Sequence, residues 1–151
     1  MMKISEKWGV AMKRIVMAVV VGGLLSVSLA FQSSAASGSR NQAQIARGEY
    51  LVKNVAGCPD CHTPMNDKGQ FVQEKWLQGT KLFFAPVAPI PNWADTSVNI
   101  AGLPGWDHGK AVQLLMTGLA PNGQPPRPPM PQYHMNKADA EAVVAYLESL
   151  K

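Results

Sequence analysis

The chain has very little cysteine, with two thiols among 151 residues, at positions 58 and 61. A four-ligand zinc site usually combines two Cys/His pairs at short spacing, and no second pair is present. A thioredoxin-like dithiol site would need a βαβ context, which the flanking sequence does not supply. The chain also has no internal repeat and no second C-x-x-C pattern. Any chemistry of the thiols is therefore confined to one short segment.

The chain also has little excess charge once its first 36 residues are set aside. Those residues contain four of the 14 basic and one of the 10 acidic side chains, which leaves ten basic against nine acidic. The net charge of +4 for the whole chain is therefore mainly a property of its N-terminal segment. A nearly neutral domain has no basic patch for nucleic acid.

The N-terminal segment has the composition of a secretory signal. Basic residues from Lys3 to Arg14 precede an uncharged, mostly apolar run over 15–31, and Ser34-Ala35-Ala36 follows as a small-x-small cleavage pattern. We expect cleavage after Ala36, with Ala30 as the second candidate, so that 1–36 is a signal peptide and 37–151 a single exported domain. The alternative is an anchor that is never cut, because the apolar run reaches the lower limit of about 17 residues for a spanning helix.

The two cysteines belong to the run Cys58-Pro59-Asp60-Cys61-His62. This C-x-x-C-H pattern is the attachment pattern of c-type haem. Cysteines at this spacing lie about one helical turn apart, so each can add across one of the two vinyl groups of the porphyrin. His62 then reaches the iron. The pattern predicts one haem c, bound covalently through Cys58 and Cys61, with His62 as a metal ligand.

Both ends of the expected domain show amphipathic helix patterns. Asn41 can cap a helix that runs through Val55, and Asn136 can cap another, with Asp139 in the third position of a capping box. Gly48 costs about 1 kcal/mol relative to alanine inside a helix, so we expect another backbone to come close there. These features predict a crossed pair of terminal helices. The expected buried stripes are Ile45, Leu51, Val52 and Val55 in the first helix and Val143, Tyr146, Leu147 and Leu150 in the second.

The sequence between these helices has little regular pattern, and its prolines alternate with aromatic residues as in loops packed on a large ligand. Asp107 can cap a third helix over 109–117, which Gly118 would end. The apolar face of that helix is expected to be Val112, Leu115 and Met116. The predicted fold class is all-α, with crossed N- and C-terminal helices, one or more short helices and long loops around one covalent haem.

Met130 is the best candidate for a second axial ligand to the iron. It lies in the run PPRPPMP over 125–131, where the prolines fix φ and lower the entropy of the unfolded loop, so that a weakly bonding thioether can be held in place. Met135 is the main rival, although it stands where a hydrophobic residue would staple the last helix to the core. His134 would give bis-histidine iron of lower potential, and His108 is a further candidate.

Together these residues resemble the class I c-type cytochromes, specifically the monohaem periplasmic group that accompanies bacterial dehydrogenases and oxidases. The resemblance spans roughly 44–150, but the segment 70–95 does not align with the family residue by residue. The segments that match the family are Arg47-Gly48-Glu49-Tyr50-Leu51-Val52, Cys58–Thr63, Asn99-Ile100 followed by Gly105-Trp106, Pro128–Pro131 and AVVAYLESL at Ala142–Leu150.

The resemblance implies a role for each matching position. Cys58 and Cys61 would form thioether bonds, and His62 and Met130 would be the proximal and distal ligands. Gly48 would cross the last helix near Tyr146. The resemblance also places Asn99 and Trp106 by the haem propionates and the distal water network, although core packing explains Trp106 equally well.

The expected function is one-electron transfer between a dehydrogenase and an oxidase or reductase, without enzymatic activity or an organic substrate. The expected partners are redox proteins that dock transiently at the exposed haem edge. No nucleic acid is expected to bind, and a membrane is expected only if the N-terminal segment stays attached. Two alternatives remain open. One is a haem protein with an open or labile distal site, such as a peroxidase or a gas-ligand binder, and the other is an anchored cytochrome subunit of a dehydrogenase complex.

Overall fold

The structure, a computed structural model, describes residues 38–39 and 41–150. The expected cleavage site after Ala36 and the apolar run over 15–31 lie outside the described residues. In the part of the chain that is described, no helix is both long and apolar enough to cross a bilayer.

The first helix, α1, includes the described residues 38–39 and 41–50 and continues as a π-helical turn, Leu51–Val55. Because residues 38 and 39 are already helical, Asn41 lies inside the helix, and its predicted role as the N-cap is wrong. The widened turn is visible in the bond from Ala56 N to the carbonyl oxygen of Leu51, five residues back, at 2.8 Å. Leu51 and Val52 are buried, as predicted, whereas Val55 is 61% exposed. The predicted position of Val55 in the buried stripe is therefore wrong, because a π turn breaks the 3.6-residue period on which that prediction depends.

A short helix, α2, covers Cys58–His62. A later helix, α3, covers His108–Thr117 and so starts one residue before the predicted range 109–117. Asp107 caps its first turn, where Oδ1 accepts a hydrogen bond from Lys110 N at 3.1 Å. Gly118 ends it in the left-handed region, at φ 70°. Of the predicted apolar face, Val112 and Leu115 are buried, but Met116 lies at the edge of the face and is 36% exposed.

The last helix, α4, covers Lys137–Ser149. Its cap is the predicted one, since Asn136 Oδ1 accepts a hydrogen bond from Asp139 N at 2.9 Å. The Asp139 carboxylate accepts a second bond from Asn136 Nδ2, also at 2.9 Å, so the reciprocal bond joins two side chains instead of reaching the backbone as in a standard capping box. The helix contributes more core residues than any other element: Ala140, Ala142, Val143, Val144, Tyr146 and Leu147.

Helices α1 and α4 cross at Gly48, as predicted. A methyl group on Gly48 would overlap the carbonyl oxygen of Ala142 and would lie 2.8 Å from Cβ of Tyr146. The absence of a side chain lets the two backbones meet at van der Waals distance. This crossing closes a core whose remaining members come from α3 and the connecting loops.

The long connection between the haem motif and α3 is mostly irregular. It contains a short 3₁₀ helix, Gln73–Lys75, and two isolated antiparallel bridges, which join Met65 to Phe71 and Lys81 to Thr96. No strand of a sheet is formed anywhere in 38–39 and 41–150, so the all-α prediction is confirmed for the described residues.

Candidate functional site

The haem motif forms a single helical turn, α2, covering Cys58–His62. Gly57 precedes it at φ 62° and turns the chain sharply out of α1. Pro59 lies in the first turn, where its missing N–H leaves no helical bond unmade. Because residues three apart share a helix face, Cys58 and Cys61 present their thiols on one side of α2. Both are free and partly exposed.

The chemical state of the thiols argues against a redox dithiol. Burial raises the pKa of Cys58 to about 11 and raises the pKa of Cys61 as well. Both thiols are therefore protonated at neutral pH. Catalytic and redox-active cysteines depend on a lowered pKa, since the thiolate is the nucleophile. The raised pKa of each thiol is therefore the opposite of what a redox-active pair requires.

His62 ends α2 and has one ring nitrogen already bonded. Nδ1 lies 2.8 Å from the carbonyl oxygen of Val98, so the bond fixes the tautomer with its proton on Nδ1 and leaves Nε2 as the free electron-pair donor. Burial lowers the pKa of His62 and outweighs the opposing effect of that bond. The ring is therefore neutral at physiological pH, which is the form that binds a metal.

The acceptor for His62 comes from a part of the chain that the sequence did not connect to the motif. Gly79 N donates to the carbonyl oxygen of His62 at 2.7 Å, and Gly79 lies against the backbone of Ser97, Val98 and Asn99. Two backbone bonds therefore hold His62, one through its ring and one through its own carbonyl. The only sign of this contact in the sequence is Gly79 itself, whose φ of 84° favours glycine.

Two further side chains fix the ends of the motif, and sequence reasoning missed both. Thr63, which is buried, accepts a hydrogen bond from Leu77 N through Oγ1 at 3.0 Å. Tyr133 donates its hydroxyl to the carbonyl oxygen of Ala56 at 2.7 Å, and burial raises the pKa of Tyr133 to about 12. α2 is thus tied at its start to the segment before α4 and at its end to the loop that follows the 3₁₀ helix.

Met130 lies partly buried in its proline-rich loop, and its N–H donates to the carbonyl oxygen of Arg127 at 3.1 Å. The other candidate ligands lie in different surroundings. Met135 packs against the hydrophobic core, as expected of a residue that staples α4, and its N–H donates to the carbonyl oxygen of Leu115 at 2.9 Å. His134 is exposed, and His108 Nδ1 lies 3.1 Å from the Glu148 carboxylate. The assignment of Met130 as second ligand stays a prediction.

Asn99 and Trp106 form hydrogen bonds with residues close to them in the chain. Asn99 Oδ1 accepts a hydrogen bond from Ala101 N at 2.9 Å and so shapes the turn after Val98. Trp106 is 37% exposed, and its backbone N–H donates to the carbonyl oxygen of Leu103 at 3.1 Å. Neither contact involves the haem motif, and the propionate and distal roles stay predictions.

The residues present fit a covalently held porphyrin. Two thiols share one face of α2, and the neutral imidazole beside them keeps only Nε2 free. Among the described residues, no group of three or more His, Cys, Asp or Glu side chains is arranged to hold a bare metal ion.

Comparisons with known proteins agree with this chemistry. The family model described as "Cytochrome c" matches residues 45–151. The chain is 30% identical over 115 residues to the alcohol dehydrogenase (quinone) cytochrome c subunit of Gluconobacter oxydans (strain 621H), covering 71% of this chain and 24% of that protein. It is 30% identical over 108 residues to a diheme cytochrome c-type protein of Cereibacter sphaeroides, covering 68% and 34% respectively.

A third relative is the fructose dehydrogenase cytochrome subunit of Gluconobacter japonicus, with 30% identity over 112 residues, 69% of this chain and 21% of that subunit. The chain therefore matches only about a fifth to a third of the length of these relatives.

Proposed function

The chain belongs to the cytochrome c family, and on that premise we propose that it binds one haem c and transfers single electrons between redox proteins. When bound, the haem supplies an iron that cycles between its ferric and ferrous states. The chain's own contribution is to hold that iron with the same two ligands in both states, so that little has to reorganise on electron transfer.

Each residue of the site has a defined part in this proposal. Cys58 and Cys61 anchor the porphyrin through thioether bonds. His62 binds the iron through Nε2, and the Val98 carbonyl keeps the ring oriented and its proton on Nδ1. Met130 supplies the opposite ligand, a thioether that raises the reduction potential relative to histidine.

The hydrogen bond between His62 and Val98 is the observation that carries this proposal. A histidine that is merely packed in a core has no need of a fixed tautomer, whereas metal-binding histidines commonly donate their second N–H to a carbonyl or carboxylate. Here the bond occurs on the histidine of a C-x-x-C-H motif, and it leaves free the nitrogen that the iron requires.

The electron-carrier role and the labile-site alternative can be separated by the distal ligand. Met130→Ala should retain covalent haem, become high-spin and have a lower potential, whereas Met135→Ala, the matched control, should stay low-spin and lose mainly stability. In the wild type, a thioether-to-iron charge-transfer band in the far red of the ferric spectrum supports the carrier. Rapid carbon monoxide binding by the ferrous wild type would instead favour a gas-ligand or peroxidase function, and a high-spin Met135→Ala protein would transfer the ligand role to Met135.

The proposed electron donor is a bacterial dehydrogenase, by analogy with the relatives whose names describe cytochrome subunits of alcohol and fructose dehydrogenases. We propose that residues 1–36 export the chain and are removed, so that the domain works in the periplasm. Reduction of the ferric protein by such a dehydrogenase with its substrate, followed by stopped flow, tests the partner. N-terminal sequencing of the purified protein tests the cleavage, and an intact N-terminus on membrane-bound protein would favour an anchored subunit.

A further inference from the structure

The proline-rich loop over 125–131 has few hydrogen-bond donors with which to fix its own position. Five of its seven residues are proline, and proline has no backbone N–H. Only Arg127 and Met130 retain one, and Met130 uses its own within the loop, on the carbonyl oxygen of Arg127. Proline limits the conformations of such a loop, but where the loop lies relative to the rest of the domain depends on bonds from outside.

Those bonds come from three consecutive residues of the segment that sequence reasoning could not align. Arg127 Nε donates to the carbonyl oxygen of Asn92 at 3.0 Å, and Nη2 donates to that of Trp93 at 2.7 Å. Ala94 N completes the set by donating to the carbonyl oxygen of Pro128 at 2.7 Å. The guanidinium thus bonds two successive carbonyls through two of its nitrogens, which the single ammonium of lysine cannot reproduce.

The segment that receives these bonds is itself braced. Leu82 N donates to the carbonyl oxygen of Asp95 at 2.8 Å, and Ser97 N to that of Thr80 at 2.9 Å, so the loop over 80–97 is closed at its base. The ring of Trp93 packs edge-to-face on Phe84, with centroids 5.9 Å apart. The carbonyls that bond to Arg127 therefore belong to a loop whose two ends are joined by hydrogen bonds.

The same stretch of chain also reaches the other ligand. Val98, four residues after Ala94, holds the ring of His62 through its carbonyl. Residues 92–98 therefore bond to the Met130 loop at one end and to the proximal histidine at the other. We call 80–98 the strap.

We propose that Arg127 is a positioning residue, which holds Met130 against the iron by fastening its loop to the strap. The inference rests on the proposed function, because it takes Met130 as the distal ligand. The hydrogen bonds of the Arg127 side chain go to Asn92 and Trp93 of the strap and not to His62 or Met130. Arg127 acts on Met130 through the backbone, because Met130 N donates to the carbonyl oxygen of Arg127.

The test is the rate at which added imidazole displaces the thioether in the ferric holoprotein, followed by stopped flow as the far-red charge-transfer band disappears. Loss of two charge-assisted bonds in Arg127→Ala should raise that rate about tenfold. Arg127→Lys keeps the charge and can replace only one of the bonds, so its rate should lie between those of Arg127→Ala and the wild type. Arg47→Ala, which removes an exposed arginine paired with Asp139 at 3.0 Å, is the matched control and should leave the rate unchanged.

A rate within twofold of wild type for both Arg127 variants would overturn the positioning role. If Arg127→Ala fails to fold, Arg127→Lys and Phe84→Leu, which loosens the packing of Trp93, still test the strap, and unchanged rates in both would have the same meaning. Met130→Ala distinguishes a wrong ligand assignment from a wrong role for Arg127. If that variant kept the charge-transfer band, the ligand assignment itself would fail. If it lost the band while the Arg127 variants behaved as wild type, only the role of Arg127 would fail.

Discussion

His62 Nδ1 lies 2.8 Å from the carbonyl oxygen of Val98, which stands 36 residues further along the chain. The contact fixes both the tautomer and the plane of the proposed proximal ligand. Since the acceptor is a backbone atom, no substitution of Val98 removes it, and its position depends on how closely the neighbouring chain can approach. That approach occurs at Gly79, where the backbone of 97–99 lies directly against the glycine.

Gly79→Ala should therefore disturb the haem environment as well as the fold. Gly79 has φ of 84°, and a methyl group there would lie 2.6 Å from Ser97 O and 2.7 Å from Val98 C, which forces the Val98 carbonyl to move. We expect a loss of about 3 kcal/mol, from the left-handed backbone and the overlap together, and a changed reduction potential. Thermal unfolding and potentiometry measure the two effects.

Gly69→Ala is the control for that experiment. Gly69 has a similar φ of 73°, but a methyl group there would meet nothing within 4 Å. It should cost about 1 kcal/mol for the backbone alone and leave the potential at the wild-type value. Equal shifts of potential in the two variants would show that the approach at Gly79 does not position Val98.

The crossing of α1 and α4 predicts a large cost for Gly48→Ala. The new methyl group would overlap the carbonyl of Ala142 and press on Tyr146, so the helices must separate. Overpacking of this kind costs about 3 kcal/mol. Gly109→Ala, at an exposed helical glycine in α3 whose added methyl group would meet only the Asp107 side chain at 3.3 Å, should keep or raise the stability, by up to about 1 kcal/mol, because alanine is the better helix former. Denaturant unfolding of the holoprotein compares the two, and similar midpoints would contradict a close crossing.

Thr63→Val tests the buried hydroxyl at the end of the haem motif. The substitution keeps the shape of the side chain but leaves the N–H of buried Leu77 without its acceptor, so we expect a loss of about 2 kcal/mol. Thr117→Val removes a comparable bond, from Leu119 N to Oγ1 at 3.2 Å, at an exposed site where water can replace it. Its expected cost is less than about 0.5 kcal/mol. A Thr63 variant as stable as the Thr117 variant would mean that the hydroxyl does not support the motif.

The ion pair between Arg47 and Asp139 predicts a small pH dependence of stability. The hydrogen bond from Arg47 lowers the pKa of Asp139 below its ordinary value. Because the folded pKa is the lower one, the stabilisation is fully present above the unfolded-state pKa and is lost as pH falls through the folded-state pKa. Asp139→Asn should remove this part of the acid-side slope and leave the stability near neutral pH only slightly reduced, since the pair is exposed. Unfolding midpoints measured across the acid range for both proteins provide the check, and parallel curves would count against the pair.

The features that the sequence predicted correctly can be recognised from a short stretch of the chain. Asn136 and Asp107 were recognised as caps because a cap bonds to a backbone N–H three residues away. Gly48 was recognised because an interior helical glycine is costly unless a close neighbour requires it. Val55 was placed wrongly, since the π turn that rotates it outward has no sequence pattern of its own.

The functional contacts that were missed share a different property. The Val98 carbonyl, and the Asn92 and Trp93 carbonyls that receive Arg127, are all backbone acceptors. Every residue type carries the same carbonyl, so nothing in the identity of residues 92, 93 or 98 marks them. The sequence of 70–95 therefore did not indicate these contacts, although residues 80–95 form most of the strap.

The amino-acid sequence alone determined the chemistry expected of this protein: two thiols and an imidazole within five residues, a proline-restrained methionine, and a capped last helix. Side-chain identity and short-range spacing are sufficient for each of these, because the interacting groups are neighbours in the chain. Only the tertiary structure decided which distant backbone oxygens hold the imidazole and the methionine loop. Those choices depend on where the long connection folds back, and that path is set by the packing of the whole domain.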